Sequence, residues 1–378
     1  MVRFLHTADW QLGMTRHFLD ADAQPRFAAA RTDAIRTIGA LAAAEGCGFV
    51  VVAGDVFETN QVDRQVVVRA LDAMAATPSV TFYLLPGNHD PLDASSVMRS
   101  PTFVEHRPAN VVVLDEPGPV PVAPGVELVA APWRTKRPLT DLVASAVAGL
   151  PADGTTRIVV GHGALDVLSP DEANPALVSL ASVEAALAEG RIHYLALGDR
   201  HSTTSVGRSG RVWYAGAPEP TDFREDDAGN ALVVELDDQG GVDVRPHRVG
   251  TWRFVRHEAH LSGDADLDLL SAALDALPDP SRTIVRLALV GQLSLTEKAR
   301  LDAVLAHHSD RFASLQGWER RIDLVVLPAE ADLADLELSG FAQEALEDLR
   351  AQAAGSGPEA VVAQDALSLL VRLAGARS

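Results

Sequence analysis

The sequence predicts an α/β protein: a largely parallel sheet flanked by helices, a second sheet, a small α/β unit and a helical tail. Three observations predict it. Short β-rich runs alternate with amphipathic stretches through the first half of the 378 residues. Polar residues and glycine gather where those runs end, which is where open α/β sheets build their sites. Hydrophobic residues make up 47% and aromatics only 5%, a balance that suits an aliphatic interior.

Val2–Thr7 reads as the first strand and ends at Ala8-Asp9-Trp10-Gln11. Arg26–Glu45 repeats alanine, isoleucine and leucine at helical period. Phe49–Ala53 is a wholly apolar strand that stops at Gly54-Asp55. Arg64–Ala76 reads as helix, and Val80–Leu85 as a strand ending at Gly87-Asn88-His89-Asp90. Val111–Leu114 and Glu127–Ala130, with proline and glycine between them, look like antiparallel additions. Arg157–Val160 leads to Gly161-His162, and His193–Leu197 to Gly198-Asp199-Arg200-His201. Beyond Gly216 the pattern changes: Ala231–Glu235, Val242–His247 and Arg253–Ala259 read as a meander completing the second sheet. Leu267–Leu277 (helix), Thr283–Leu289 (strand), Thr296–His307 (helix), Phe312–Gln316 and Ile322–Leu327 (strands) form the small α/β unit. From Ala331 the chain is acidic and helix-prone, with helices over Gly340–Ala353 and Glu359–Leu373. The expected domains are therefore 1–250, 251–330 and 331–378.

Composition narrows the class. No apolar run is long enough to span a bilayer, the first six residues are too short for a signal-peptide core, and the single Cys47 excludes an internal disulfide. A reduced, cytoplasmic protein that does not engage a membrane is expected. The formal charge of -20 opposes binding to nucleic acid, whose phosphates favour basic partners. Nearly all the basic residues are arginine, Lys136 and Lys298 being the only lysines, so any phosphate grip must be local. Trp133-Arg134-Thr135-Lys136-Arg137 and Arg208 with Arg211 are candidate basic rims, with solvated loop charge as the plain alternative.

Five strand ends carry metal-ligand chemistry: Asp9 with Gln11, Asp55, Asn88-His89-Asp90, His162, and Asp199-Arg200-His201. A strand-end aspartate alone is usually a turn or cap residue, and a lone Gly-His usually satisfies a local hydrogen bond. In this order the set points to two divalent ions. Such ions sit about 3.5–4 Å apart and repel, so a carboxylate must bridge them while they bind phosphate oxygens and acidify a water. Mixed oxygen and imidazole ligands suit manganese, iron or zinc better than calcium.

The set resembles the calcineurin-like metallophosphoesterases, with their Asp-x-His, Gly-Asp, Gly-Asn-His-Asp/Glu, Gly-His and Gly-His-x-His segments. Phe4–Gly13, Ala53–Phe57, Leu85–Asp90, Tyr194–His201 and Tyr214–Glu219 are similar to the SbcD-type exonucleases of double-strand-break repair. The resemblance covers roughly residues 1–250. It implies a two-sheet sandwich flanked by helices, a small α/β cap domain, and a helical C-terminal tail that docks on an SMC/ABC-type ATPase. It implies DNA as substrate, a homodimer, and two divalent ions: manganese first, magnesium or iron otherwise. Residue by residue, Asp9 and His201 resemble ligands of the first ion, Asp55 the bridge, and Asn88 and His162 ligands of the second. His89 resembles the acid that protonates the leaving oxygen, with Asp90 expected to orient its imidazole. Apart from the resemblance, Arg200 lies between two candidate ligands and is read as a candidate phosphate clamp, with a surface-turn arginine as the plain alternative.

This chain departs from the pattern twice. Gln11 stands where the family usually has histidine, and Asp199 replaces the first histidine of Gly-His-x-His. Both offer oxygen instead of nitrogen and so favour manganese or magnesium over zinc. They also keep two alternatives open: a phosphodiesterase for nucleotides or other small esters, and a catalytically silent scaffold for DNA ends or an ATPase. His6, His17 and His307-His308 are read as structural. The Phe341, Leu346, Leu349 and Val361, Leu369, Leu370 stripes are read as packing faces, with a partner surface as the alternative.

Overall fold

Alternation of side chains along the first strand sets the layering of the larger unit. In the computed structural model, which describes residues 1–378 except 172, 238, 327–339, 354, 356 and 376–378, Phe4 faces a core with Val51, Ile158 and Tyr194. Leu5, one residue on, faces a different core with Ile35, Val50 and Leu71. The described strands are β1 (Val2–Thr7), β2 (Phe49–Ala53), β3 (Thr81–Leu85), β4 (Val111–Val113), β5 (Gly118–Ala123), β6 (Val126–Ala130), β7 (Thr156–His162) and β8 (Tyr194–Gly198). They continue as β9 (Thr204–Val206), β10 (Val212–Tyr214), β11 (Asn230–Leu236), β12 (Val242–Arg248), β13 (Arg253–Leu261), β14 (Thr283–Leu293), β15 (Ser314–Gly317) and β16 (Asp323–Val326). The α-helices are α1 (Ala23–Ala44), α2 (Arg64–Ala75), α3 (Pro101–His106), α4 (Leu142–Val147), α5 (Leu180–Ala188), α6 (Asp264–Asp275), α7 (Leu295–Ser309), α8 (Phe341–Ala353) and α9 (Pro358–Gly375).

Two six-stranded sheets run β12-β11-β1-β2-β3-β4 and β5-β6-β7-β8-β10-β9. Strands β1 to β4 are mutually parallel, as are β6, β7, β8 and β10. The inner faces meet through Phe49, Val51, Leu128, Ile158, Val160, Tyr194 and Val234. The outer face of the first sheet packs on α1 and α2 through Ile35, Ile38, Val67 and Leu71. That of the second packs on α4 and α5 through Val143, Val147, Val183 and Leu187. The result is a two-sheet sandwich between helices.

The structure corrects three readings. Strands β11 and β12 do not complete the second sheet; they extend the first, because β11 pairs antiparallel with the open edge of β1 and divides Val233 and Val234 between its two cores. Strand β13 leaves that meander and pairs in parallel with β14. Strand β4 is parallel to β3, not antiparallel, while β6 is antiparallel only to β5. That partner was hidden by Pro119 and Pro121, which an edge strand tolerates because it needs fewer N–H donors.

Two compact units divide the chain: Met1–His17 with Gln24–Trp252, and Phe18–Ala23 with Arg253–Ser378. In the second, β14 takes β13, β15 and β16 as parallel partners, and α6 and α7 cover one face through Leu267, Leu270, Leu274 and Leu301. Leu346, Ala363 and Leu367 of the last two helices pack against Leu295. Leu349 and Leu370 join them, but Phe341 and Leu369 stay exposed and do not pack as expected. The expected boundary at 330/331, the end of the strand at Leu327 and the Val361 side chain lie outside the described residues. No helix of the described residues is long and apolar enough to cross a membrane.

His6 links the two sheets: Nδ1 lies 3.2 Å from the Tyr194 hydroxyl and Nε2 3.2 Å from the Leu197 carbonyl. Burial pushes its pKa down to about 3 against the usual 6.5. The neutral ring therefore stabilises the fold fully above pH 6.5, and that contribution is lost as pH falls from 6.5 toward about 3. Urea unfolding of wild type and His6→Gln across this range is expected to show the wild-type advantage shrinking by up to about 1.4 kcal/mol per pH unit. A constant difference would contradict it.

Candidate metal centre

Parallel strands β1, β2, β3, β7 and β8 deliver their C-terminal ends to one place, and backbone bonds lock the emerging loops together. Asp9 N–H donates to the Gly54 carbonyl at 3.1 Å, Gln11 N–H to the Asp55 carbonyl at 3.0 Å, and Leu12 N–H to the Val56 carbonyl at 3.0 Å. Close approach demands glycine twice over: a Cβ on Gly87 would collide with the Asp55 carboxylate, and one on Gly198 with the Ala53 carbonyl.

Ligand atoms of Asp9, Asp55 and His162 lie within 4.8 Å of one another, all three residues being buried. Asp55 Oδ1 accepts the His89 N–H at 2.9 Å and Oδ2 accepts the Gln11 amide at 3.1 Å. His162 Nδ1 sits 2.9 Å from the Ala53 carbonyl, which accepts its hydrogen. His162 Nε2 then faces three oxygens: Asn88 Oδ1 at 2.6 Å, Asp55 Oδ1 at 3.4 Å and Asp199 Oδ1 at 3.9 Å. Asp9 receives the Asp199 N–H on both oxygens, at 3.0 and 3.1 Å. The structure thus brings Asp9, Gln11, Asp55, Asn88, His162 and Asp199 together. Gln11, His89, Asp199, Arg200 and His201 line the cavity of about 650 Å³ above them. The Arg200 Nε also donates to Thr204 Oγ1 at 3.0 Å.

Electrostatics fits a cation at this point. Burial pushes the Asp9 carboxyl up to about 6, against the opposing charges of His201 and His162. Burial pushes Asp55 up as well, but His162 and His89 outweigh it and the net shift is downward. For His162 burial acts downward, yet the surrounding Asp55, Asp9 and Asp199 hold it well above its usual value. A divalent ion would balance the same carboxylates. The Gln11 Oε1 is buried with no hydrogen-bond partner, an orphan acceptor of the kind a metal satisfies. These residues therefore fit divalent ions.

Backbone strain converges on the same residues. Among the described non-glycine residues, positive φ occurs at Asp9 (53°), Gln11 (50°), Asp55 (51°) and Asp199 (96°), with Asp279 the fifth and in the other unit. Each such position costs on the order of 1–3 kcal/mol and persists where a site requires it.

One expectation fails. Asp90 does not orient the His89 imidazole, because its Oδ1 accepts the Gly87 N–H at 2.8 Å and its Oδ2 the Phe57 N–H at 2.9 Å. It fixes the loop that carries Asn88 and His89, and burial with the adjacent Asp55 pushes it up to about 7. The His89 ring is held instead by the Glu58 carbonyl, 2.9 Å from Nδ1. Sequence reasoning missed Glu58, Arg16, Thr221 and Glu225, which line the cavity from loop positions beyond the residues that end each strand.

Asp199→Gly would relieve the strain at φ 96°. Urea unfolding of the metal-free protein is expected to show a gain of about 1 kcal/mol, while calorimetry shows weaker manganese binding. A loss of metal-free stability would contradict the strain argument.

The model of the calcineurin-like phosphoesterase family matches residues 2–227. The SbcD subunit of the SbcCD nuclease from Rhodobacter capsulatus is 27% identical over 372 residues, covering 83% of this chain and 87% of the relative. Among solved structures, a protein from Thermus thermophilus aligns at TM-score 0.39 and 9% identity, over 65% of this chain and 98% of that one. A dimetal phosphatase from Danio rerio aligns at TM-score 0.38 and 12% identity, over 66% and 96%.

Proposed function

The chain belongs to the calcineurin-like phosphoesterase family and is a metal-dependent phosphoesterase, and from the geometry above we propose that it is a DNA nuclease acting with an SMC-type ATPase. The observation that carries this reading is the convergence of Asp9, Asp55 and His162, with the orphan Gln11 oxygen, beneath one open cavity. In this reading Asp9, Gln11 and His201 would hold one ion, Asn88, His162 and Asp199 would hold the other, and Asp55 would serve both. Manganese suits the oxygen-rich set best, with magnesium or iron next. The bound ions supply Lewis-acid activation of the phosphate and of a water.

The chain's own residues do the rest. His89 Nδ1 donates to the Glu58 carbonyl, which leaves Nε2, 3.9 Å from Asp55 Oδ2, to carry the proton the leaving oxygen needs. The His89 side chain is 40% exposed, so a substrate oxygen reaches it from the cavity. Arg200 lines the same cavity and contributes charge to the phosphate. Asp90 acts through the backbone of this loop.

Extended nucleic acid as substrate is supported by a second cavity of about 450 Å³ in the same unit. Trp133, Lys136, Arg137, Asp171, Asn174 and Pro175 line it, a net positive charge of one from two cations and one carboxylate. The Trp133 indole donates to the carbonyl of His162 at 2.7 Å, so this basic, apolar hollow adjoins a ligand. A local cationic grip next to the centre reconciles phosphate binding with the charge of -20. The name of the relative, part of the SbcCD nuclease, supports a partner, and a homodimer joined to that partner in the cytoplasm is the assembly proposed. The domain roles follow: residues 1–250 cleave, 251–330 cap the DNA, and 331–378 dock the ATPase.

Linear duplex DNA with manganese is expected to be degraded by wild type and at least about a hundredfold more slowly by Asp55→Ala. Equal rates would sink the assignment, and a nucleotide diester turned over far faster than DNA would move it to small esters. The Lys136→Ala/Arg137→Ala pair is expected to lower the salt slope of DNA binding by about 1 for each lost phosphate contact. An unchanged slope would remove that cavity from the substrate path.

A further inference from the structure

A carboxylate outside the ligand set lies against His201. Glu225 Oε1 lies 2.9 Å from His201 Nδ1, and Thr221 Oγ1 lies 2.8 Å from the same nitrogen. The single Thr221 hydroxyl hydrogen is donated to Glu225 Oε1, so toward His201 the hydroxyl oxygen can only accept. Both neighbours of Nδ1 are therefore acceptors, and Nδ1 must carry a hydrogen. With Nδ1 committed, the neutral ring has its lone pair on Nε2, the only nitrogen left to hold a cation.

Glu225 is itself fixed. Its side chain is 7% exposed, and Oε2 accepts the Thr221 N–H at 2.8 Å. Arg16 donates to the Thr221 carbonyl from Nε at 2.9 Å and Nη2 at 2.6 Å. Arg31, 2% exposed, donates to the carbonyls of Glu219 at 3.3 Å, Pro220 at 2.9 Å and Trp10 at 3.2 Å. The segment bearing the carboxylate is thus tied to the backbone next to Asp9.

We propose that Glu225, held by Thr221 and the two arginines, is a positioning residue that fixes His201 in the Nδ1–H tautomer and presents Nε2 to the cation. A carboxylate behind a ligating imidazole orients it and raises its basicity, and loss of such a partner weakens metal affinity by about 10- to 100-fold. With Gln11 and Asp199 in place of imidazoles, His201 is one of two histidines in the proposed ligand set, so its orientation carries more of the affinity. The proposal rests on the metal-dependent reading of the site.

The test is substrate-free calorimetric titration with manganese of wild type, Glu225→Gln, His201→Asn and the double variant. Glu225→Gln is expected to bind about 10-fold more weakly, and the double variant no more weakly than His201→Asn alone. Wild-type affinity in Glu225→Gln, or a loss that adds in full to that of His201→Asn, overturns the positioning role. Absence of binding by wild type overturns the metal reading as well. A measurement without substitution guards against a misfolded variant: in the protein loaded with cadmium-113, coupling of the ion to His201 Nε2 is expected, and coupling to Nδ1 overturns the proposal.

Discussion

Three buried carboxylates beneath the cavity and its loops set the terms for the larger unit. Asp9, Asp55 and Asp90 are each no more than 2% exposed, and an isolated buried carboxylate is costly unless hydrogen bonds or opposite charges compensate it. The chain compensates with backbone amides: Asp199 N–H on Asp9, His89 N–H on Asp55, and Gly87 and Phe57 N–H on Asp90. The imidazoles of His162 and His201 lie against the same carboxylates. What the amides do not neutralise is the capacity to bind cations.

Meeting those bonds dictates the local backbone. Asp9, Gln11, Asp55 and Asp199 all take positive φ in the loops that follow strands, which leaves Asp9, Gln11 and Asp55 buried and Asp199 on the cavity wall. Parallel strands make this economical, since their C-terminal ends lie at one edge and successive loops can hydrogen-bond to each other. The four-layer packing of sheets and helices holds the strands rigidly enough to sustain the strain. Stability is given up at the site and recovered in the three cores of the unit.

The parts of this arrangement legible in the sequence are those written locally. An apolar run such as Phe49–Ala53 followed by Gly54-Asp55 announces both a buried strand and a polar tip, and five such endings foretell a pocket. Pairings at long range were not legible. Nothing in 231–247 marks its strands as partners of β1 rather than of the second sheet, because either edge accepts the same alternation. Asp90 follows His89 directly and suggested a side-chain pair, yet the tight turn gives its oxygens to N–H groups closer at hand. Glu225 and Glu58 come from irregular loops whose positions depend on Arg16, Arg31 and the loop crossing after β1, none of which has a sequence period.

The most direct test of the central claim is anomalous diffraction from crystals soaked in manganese. Two peaks about 3.5–4 Å apart, with the Asp55 carboxylate between them and the Gln11 oxygen on one, are the result this account predicts. No peak in the pocket, or one bound only to exposed carboxylates away from Asp55, would contradict it.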